Sequence, residues 1–101
     1  MQALEETLDA ADERLRAARR ALEASEAEVT ELEAMIADIK ARGEDPADYG
    51  DLAMERFRPA FFRYQDAQAA YDSAERIRTE TRAALDAARA ELARSRSSGT
   101  M

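Results

Sequence analysis

"RGEDPADYGD", residues 42–51, decides how this chain of 101 residues folds. It packs two glycines, a proline and four acids into one short stretch, the composition of a turn. On one side, residues 2 to about 42 contain neither Gly nor Pro; on the other, residues 52 to about 95 are interrupted by Pro59 alone. Both flanks are rich in Ala, Leu, Glu and Arg, which are strong helix formers. A short turn between two long helical stretches predicts an antiparallel helix pair.

The apolar spacing says how the pair meets. Met1, Leu8, Leu15, Leu22, Val29 and Ile36 recur every seven residues and take heptad position a, with Leu4, Ala11, Ala18, Ser25, Leu32 and Ile39 at d. Unbroken heptads of this length predict a coiled coil. In the second stretch Phe57, Tyr64, Tyr71, Arg78, Leu85 and Leu92 fill a. Its d row is small throughout: Ala60, Ala67, Ala74, Thr81, Ala88 and Ser95. The fold class expected is therefore all-α: an antiparallel two-helix coiled-coil hairpin, with the option of pairing into a four-helix bundle.

Setting a residues of one helix against d residues of the other pairs Ile36 with Ala60, Leu32 with Tyr64, Val29 with Ala67 and Leu22 with Ala74. Small then meets large along most of the seam, as close packing requires. The e positions of the same register set Glu5 against Arg89, Asp12 against Arg82 and Arg19 against Glu75. Such pairs select register rather than add much stability. Arg78 at a fits poorly, and its stem is expected to lie along the seam with its charge in water. Pro59 cannot sit inside a straight helix, so the second helix is expected to begin near residues 58–60 after a short helical segment. The organisation expected is a first coiled-coil helix at 1–42, an acidic turn or tip with room for a short helix at 43–58, a second coiled-coil helix at 59–95 and a flexible tail at 96–101.

Composition excludes several activities. The net charge of −7 and pI near 4.6 oppose binding to nucleic acid, which draws on clustered Lys and Arg. Without cysteine or histidine there is no thiol chemistry, no zinc-thiolate site and no imidazole base. No apolar run approaches the ~20 residues that span a bilayer, and the acidic N-terminus lacks the layout of a signal peptide. No cofactor, no membrane and no enzymatic activity are expected, and the location expected is the cytoplasm, a virion or another assembly.

The tip acids Glu44, Asp45, Asp48 and Asp51 lack the alternating spacing of a calcium loop and read as capping, solvated side chains. A coiled-coil hairpin bearing Asp45-Pro46-Ala47-Asp48 at its tip loosely resembles the secondary-channel regulators of bacterial RNA polymerase. The resemblance implies a regulator that inserts its acidic tip, through Asp45 and Asp48, into a partner enzyme. That family also carries a globular or zinc-ribbon domain, which a chain without cysteine has no ligands to build.

Two surfaces remain as candidate protein contacts. Phe57, Tyr64 and Tyr71 are expected in the core, whereas Phe61 falls at e opposite Glu33 and Phe62 at f, facing away from the partner helix. Phe62 beside a proline suits a contact site, unless the proline turns it inward. The second surface is alanine-rich: Ala17 and Ala24 at c with Ala21 and Met35 at g on the first helix, and Ala70, Ile77 and Ala84 at g on the second. A two-helix pair buries little by itself, which favours a protein partner or self-association into a homo-oligomer. The function expected is a non-enzymatic structural or adaptor role, as a small subunit of a larger bacterial or phage assembly.

Overall fold

The Gly- and Pro-free stretch forms one helix, α1 (Gln2–Ala41), in the computed structural model, which describes residues 2–43, 50 and 52–99. Its end is built by Gly43, whose φ of 73° lies in the left-handed region. There the Gly43 N–H donates to the Lys40 carbonyl at 3.0 Å and the Arg42 N–H to the Asp38 carbonyl at 3.1 Å. These bonds satisfy carbonyls that the helix would otherwise leave open. Lys40 in the last turn complements the negative end of the helix dipole. Nothing lies within 4 Å of a Cβ placed at Gly43, so Gly43→Ala meets only backbone strain. The substitution is expected to cost about 1 kcal/mol, read from the urea midpoint, whereas Gly43→Asn, which tolerates this conformation, should be nearly neutral.

Pro59 accounts for the start of the second helix. Residues Leu52–Phe57 form a π-helical segment, and α2 (Arg58–Gly99) follows directly. In an α-helix, the proline ring would collide with the carbonyl four residues back, at Glu55. A π-helical turn widens the spacing by one residue, and Pro59 then sits in the first turn of α2, where a missing N–H costs nothing. At its other end α2 continues through residues 96–99, which the sequence reading assigns to a tail.

The chain is thus an all-α antiparallel helical hairpin, with no strand among the described residues. It comprises two compact units, Ala18–Tyr71 and a terminal unit of Met1–Ala17 with Asp72–Met101. In the terminal unit Leu8, Ala11, Ala74 and Leu85 are buried; in the Ala18–Tyr71 unit Leu22, Val29, Leu32 and Ala60 are. All eight occupy a or d positions, so the heptad assignment holds in three dimensions. Leu92 departs from it, remaining 39% exposed at an a position.

The register differs from the one the small-to-large pairing predicts. Ala60 packs with Val29 and Leu32, and Leu52, Phe57 and Tyr64 join that cluster. Ile36, expected opposite Ala60, instead shares a groove with Phe57. Around this cluster Ala60 lies about one helical turn, roughly 3–4 residues, from its expected place on α1, while Tyr64 stays in the same cluster as Leu32, its expected partner. Apolar side chains still meet apolar ones, because the a and d rows are only three or four residues apart.

Cross-helix polar contacts are divided between the expected register and the displaced one. In the terminal unit Arg89 reaches Glu5 at 3.2 Å, as expected, but Asp12 accepts from Arg78 Nε at 2.8 Å and Arg82 turns to Asp86 within its own helix. In the Ala18–Tyr71 unit the Arg19 guanidinium donates to the Tyr71 hydroxyl at 3.4 Å and lies 6.0 Å from the ring centroid, where Glu75 was expected as its partner. Arg78 therefore resolves its poor fit at a by pairing with a half-buried carboxylate beside the seam. Exposed pairs of this kind contribute about 0.2–1 kcal/mol each, against about 1.5–3 for a fully buried leucine, so the apolar seam holds the fold.

Candidate functional site

Phe57, Phe61 and Tyr64 are spaced four and three residues apart, which aligns them on one face. Their rings stack in sequence. Phe57 and Phe61 have centroids 6.0 Å apart and planes inclined by 16°, and Phe61 and Tyr64 are 6.3 Å apart at 29°. Phe57 and Tyr64 reach the Val29–Leu32–Ala60 core, whereas Phe61 stays 39% exposed. The ladder thus runs from core to surface and back within three helical turns.

Two open grooves adjoin it in the Ala18–Tyr71 unit. One, of ≈ 400 Å³, is lined by Glu33, Ile36, Ala37, Lys40, Ala53 and Phe57. The other, of ≈ 290 Å³, is lined by Glu26, Val29, Thr30, Glu33, Phe61 and Tyr64. Glu33 borders both, and Glu26, Glu33 and Lys40 form the α1 rim of this pair of grooves, here the trough; its part beside Phe57 is apolar and its part beside Phe61 is mixed in polarity. These three rim residues are seven apart and therefore lie on one line along α1. Lys40 engages a partner, while among the described residues Glu26 and Glu33 have no hydrogen bond or ion pair. Both grooves are open to solvent, whereas a small-molecule site buries most of its ligand's surface.

The residues singled out from the sequence fall as follows. Phe62 is 51% exposed, with the Arg58 guanidinium 5.8 Å from its ring centroid, so the proline does not turn it inward. A cation over an exposed ring is worth about 0.5–1 kcal/mol and keeps the side chain oriented. Asp45 and Asp48 lie outside the described residues. On the alanine-rich side, Ala17, Ala21, Ala24, Ala70 and Ala84 are exposed, Met35 is at the edge of exposure and Ile77 is half-buried. That side is not uniformly apolar, because Glu28 and Arg63, both at g, form an ion pair across the two helices there.

The structure therefore moves the larger apolar surface to the e side near the turn. Phe61 opposite Glu33 is legible from the heptad. The contributions of Ile36, Ala37 and Ala53 are not, because they follow from the one-turn displacement and the π-helical segment. Elsewhere the surface offers little chemistry. Arg16, hydrogen-bonded to Glu13 and beside its charge, is held above the usual guanidinium range, but this is a pair within one exposed helix face. Among the described residues no cluster of three carboxylates could hold a metal ion. No described helix is long and apolar enough to cross a membrane. Comparison with known protein families, with curated proteins and with solved structures finds no match to this chain.

Proposed function

We propose that this chain is a non-enzymatic association module, a structural or adaptor subunit that works by packing its helices against another protein. The observation that carries this reading is the set of large apolar side chains left on the surface of the Ala18–Tyr71 unit. Met54, Phe62 and Phe61 are exposed, and Met35 stands at the edge of exposure. Exposed aromatics and methionines are the side chains that anchor protein contacts and carry most of their binding energy. The small buried core points the same way, since a helix pair with few buried side chains gains stability from further packing. Self-association into a four-helix bundle and attachment to a different protein are both forms of this function.

Photo-cross-linkers placed at Phe62 and Met35 test it in the native setting of the full chain. Covalent adducts are expected from these two positions, and not from Glu23, which is exposed at a polar b position. Equal or absent adducts from all three positions would defeat the association reading. The masses of the adducts separate a second copy of this chain from a foreign protein.

A further inference from the structure

We infer that the trough beside the Phe57–Phe61–Tyr64 ladder is a docking site for a single amphipathic helix carrying basic residues. The inference deepens the association reading and rests on it. Shape limits the occupant to a helix. The two grooves follow one another along α1, both are open to solvent, and Ile36, Phe57, Phe61 and Tyr64 offer apolar contacts along them, which suits the apolar stripe of a third helix with anchors at heptad spacing. An extended strand would need an unpaired sheet edge to bond to, and the described residues contain none.

Charge then selects the kind of helix. Glu26 and Glu33 stand seven residues apart on the rim with no hydrogen bond or ion pair among the described residues, on a chain whose net charge is −7. A helix with Lys or Arg facing Glu26 and Glu33, and an uncharged or acidic residue facing Lys40, would meet both carboxylates while its apolar stripe covered Ile36, Phe57, Phe61 and Tyr64. These two carboxylates repel an anionic lipid surface. It also disfavours a second copy of this chain. Self-association is usually two-fold, and because Glu33 borders both halves of the trough, a two-fold axis at its centre would set Glu33 against its own counterpart.

The test uses the full chain and two labelled helical peptides that share one leucine stripe, with Lys flanking the stripe in one and Glu in the other. Binding is followed by fluorescence anisotropy at low and high salt. The Lys peptide is expected to bind at least about tenfold more tightly than the Glu peptide, with the difference shrinking as salt rises. Reversing both rim charges, Glu26→Lys with Glu33→Lys, should invert the preference; both residues are exposed, so the fold is spared. Phe61→Ser should weaken the Lys peptide by about tenfold or more, with helicity checked by circular dichroism. Equal affinity for the two peptides, or a preference that survives the double reversal, would overturn the inference. So would a concentration-dependent mass of the chain alone that Phe61→Ser abolishes, since the trough would then hold a second copy. If neither peptide binds while Phe62 and Met35 still yield adducts, this docking site is wrong and the association reading stands.

Discussion

Leu32→Ala is expected to remove about 2–5 kcal/mol, the largest effect of any single truncation in the Ala18–Tyr71 unit. Leu32 is 2% exposed and sits at the centre of the cluster with Val29 and Ala60. Truncation forfeits the transfer energy of the removed carbons and leaves a cavity that two rigid helices close poorly. For a chain whose total stability is of the ordinary 5–15 kcal/mol or less, this is a large fraction. Urea unfolding followed by circular dichroism reads the effect directly. A loss below about 1 kcal/mol would mean that the seam at Leu32 is not close-packed.

Ala60→Leu is the complementary result: a cost of about 1–3 kcal/mol from overpacking. Ala60 is 1% exposed and lies in the small d row that brings α2 close to α1. Three added carbons have no space unless the helices part or the side chain leaves its rotamer. The two changes together then test the register. Because Leu32 and Ala60 belong to one cluster, the double variant Leu32→Ala with Ala60→Leu exchanges volume across the seam. It should recover 1 kcal/mol or more relative to the sum of the single variants, at the scale of about 0.5–3 kcal/mol typical of contacting residues. Additive costs at Leu32, with recovery instead when Ala60→Leu is combined with Ile36→Ala, would restore the register in which Ile36 faces Ala60.

The same logic explains why side-chain pairing was only partly legible. Glu5 with Arg89 follows from the heptad and forms. Asp12 with Arg82 does not, because Arg78 at the seam lies close enough to reach Asp12 first and Arg82 finds Asp86 one turn along its own helix. Arginine side chains are long enough that several registers offer each of them a carboxylate, and the energy at stake is small on an exposed surface. Ion-pair patterns therefore discriminate weakly between slides of one turn. The contact surface was obscured for a related reason. Phe61 at e is, in sequence, a candidate contact with Glu33 as its expected neighbour. Only its stacking between Phe57 and Tyr64, beside Ile36 and Ala53, makes it part of a trough.

What the amino-acid order determines by itself is local and periodic. The Gly- and Pro-free stretch makes α1, Gly43 ends it in the left-handed conformation, Pro59 marks the beginning of α2, and the heptads choose which face of each helix is buried. These follow from backbone sterics and from a repeat that matches the helix, and both act within a few residues. What only the tertiary structure decides is how far one helix slides along the other, and with it the partner of Arg78, the company of Ala60 and the trough beside Phe61. A seven-residue repeat looks nearly the same after a slide of one turn, so periodicity cannot make that choice. It is made by the fit of particular side chains across the seam, the only interaction here that distinguishes one turn from the next.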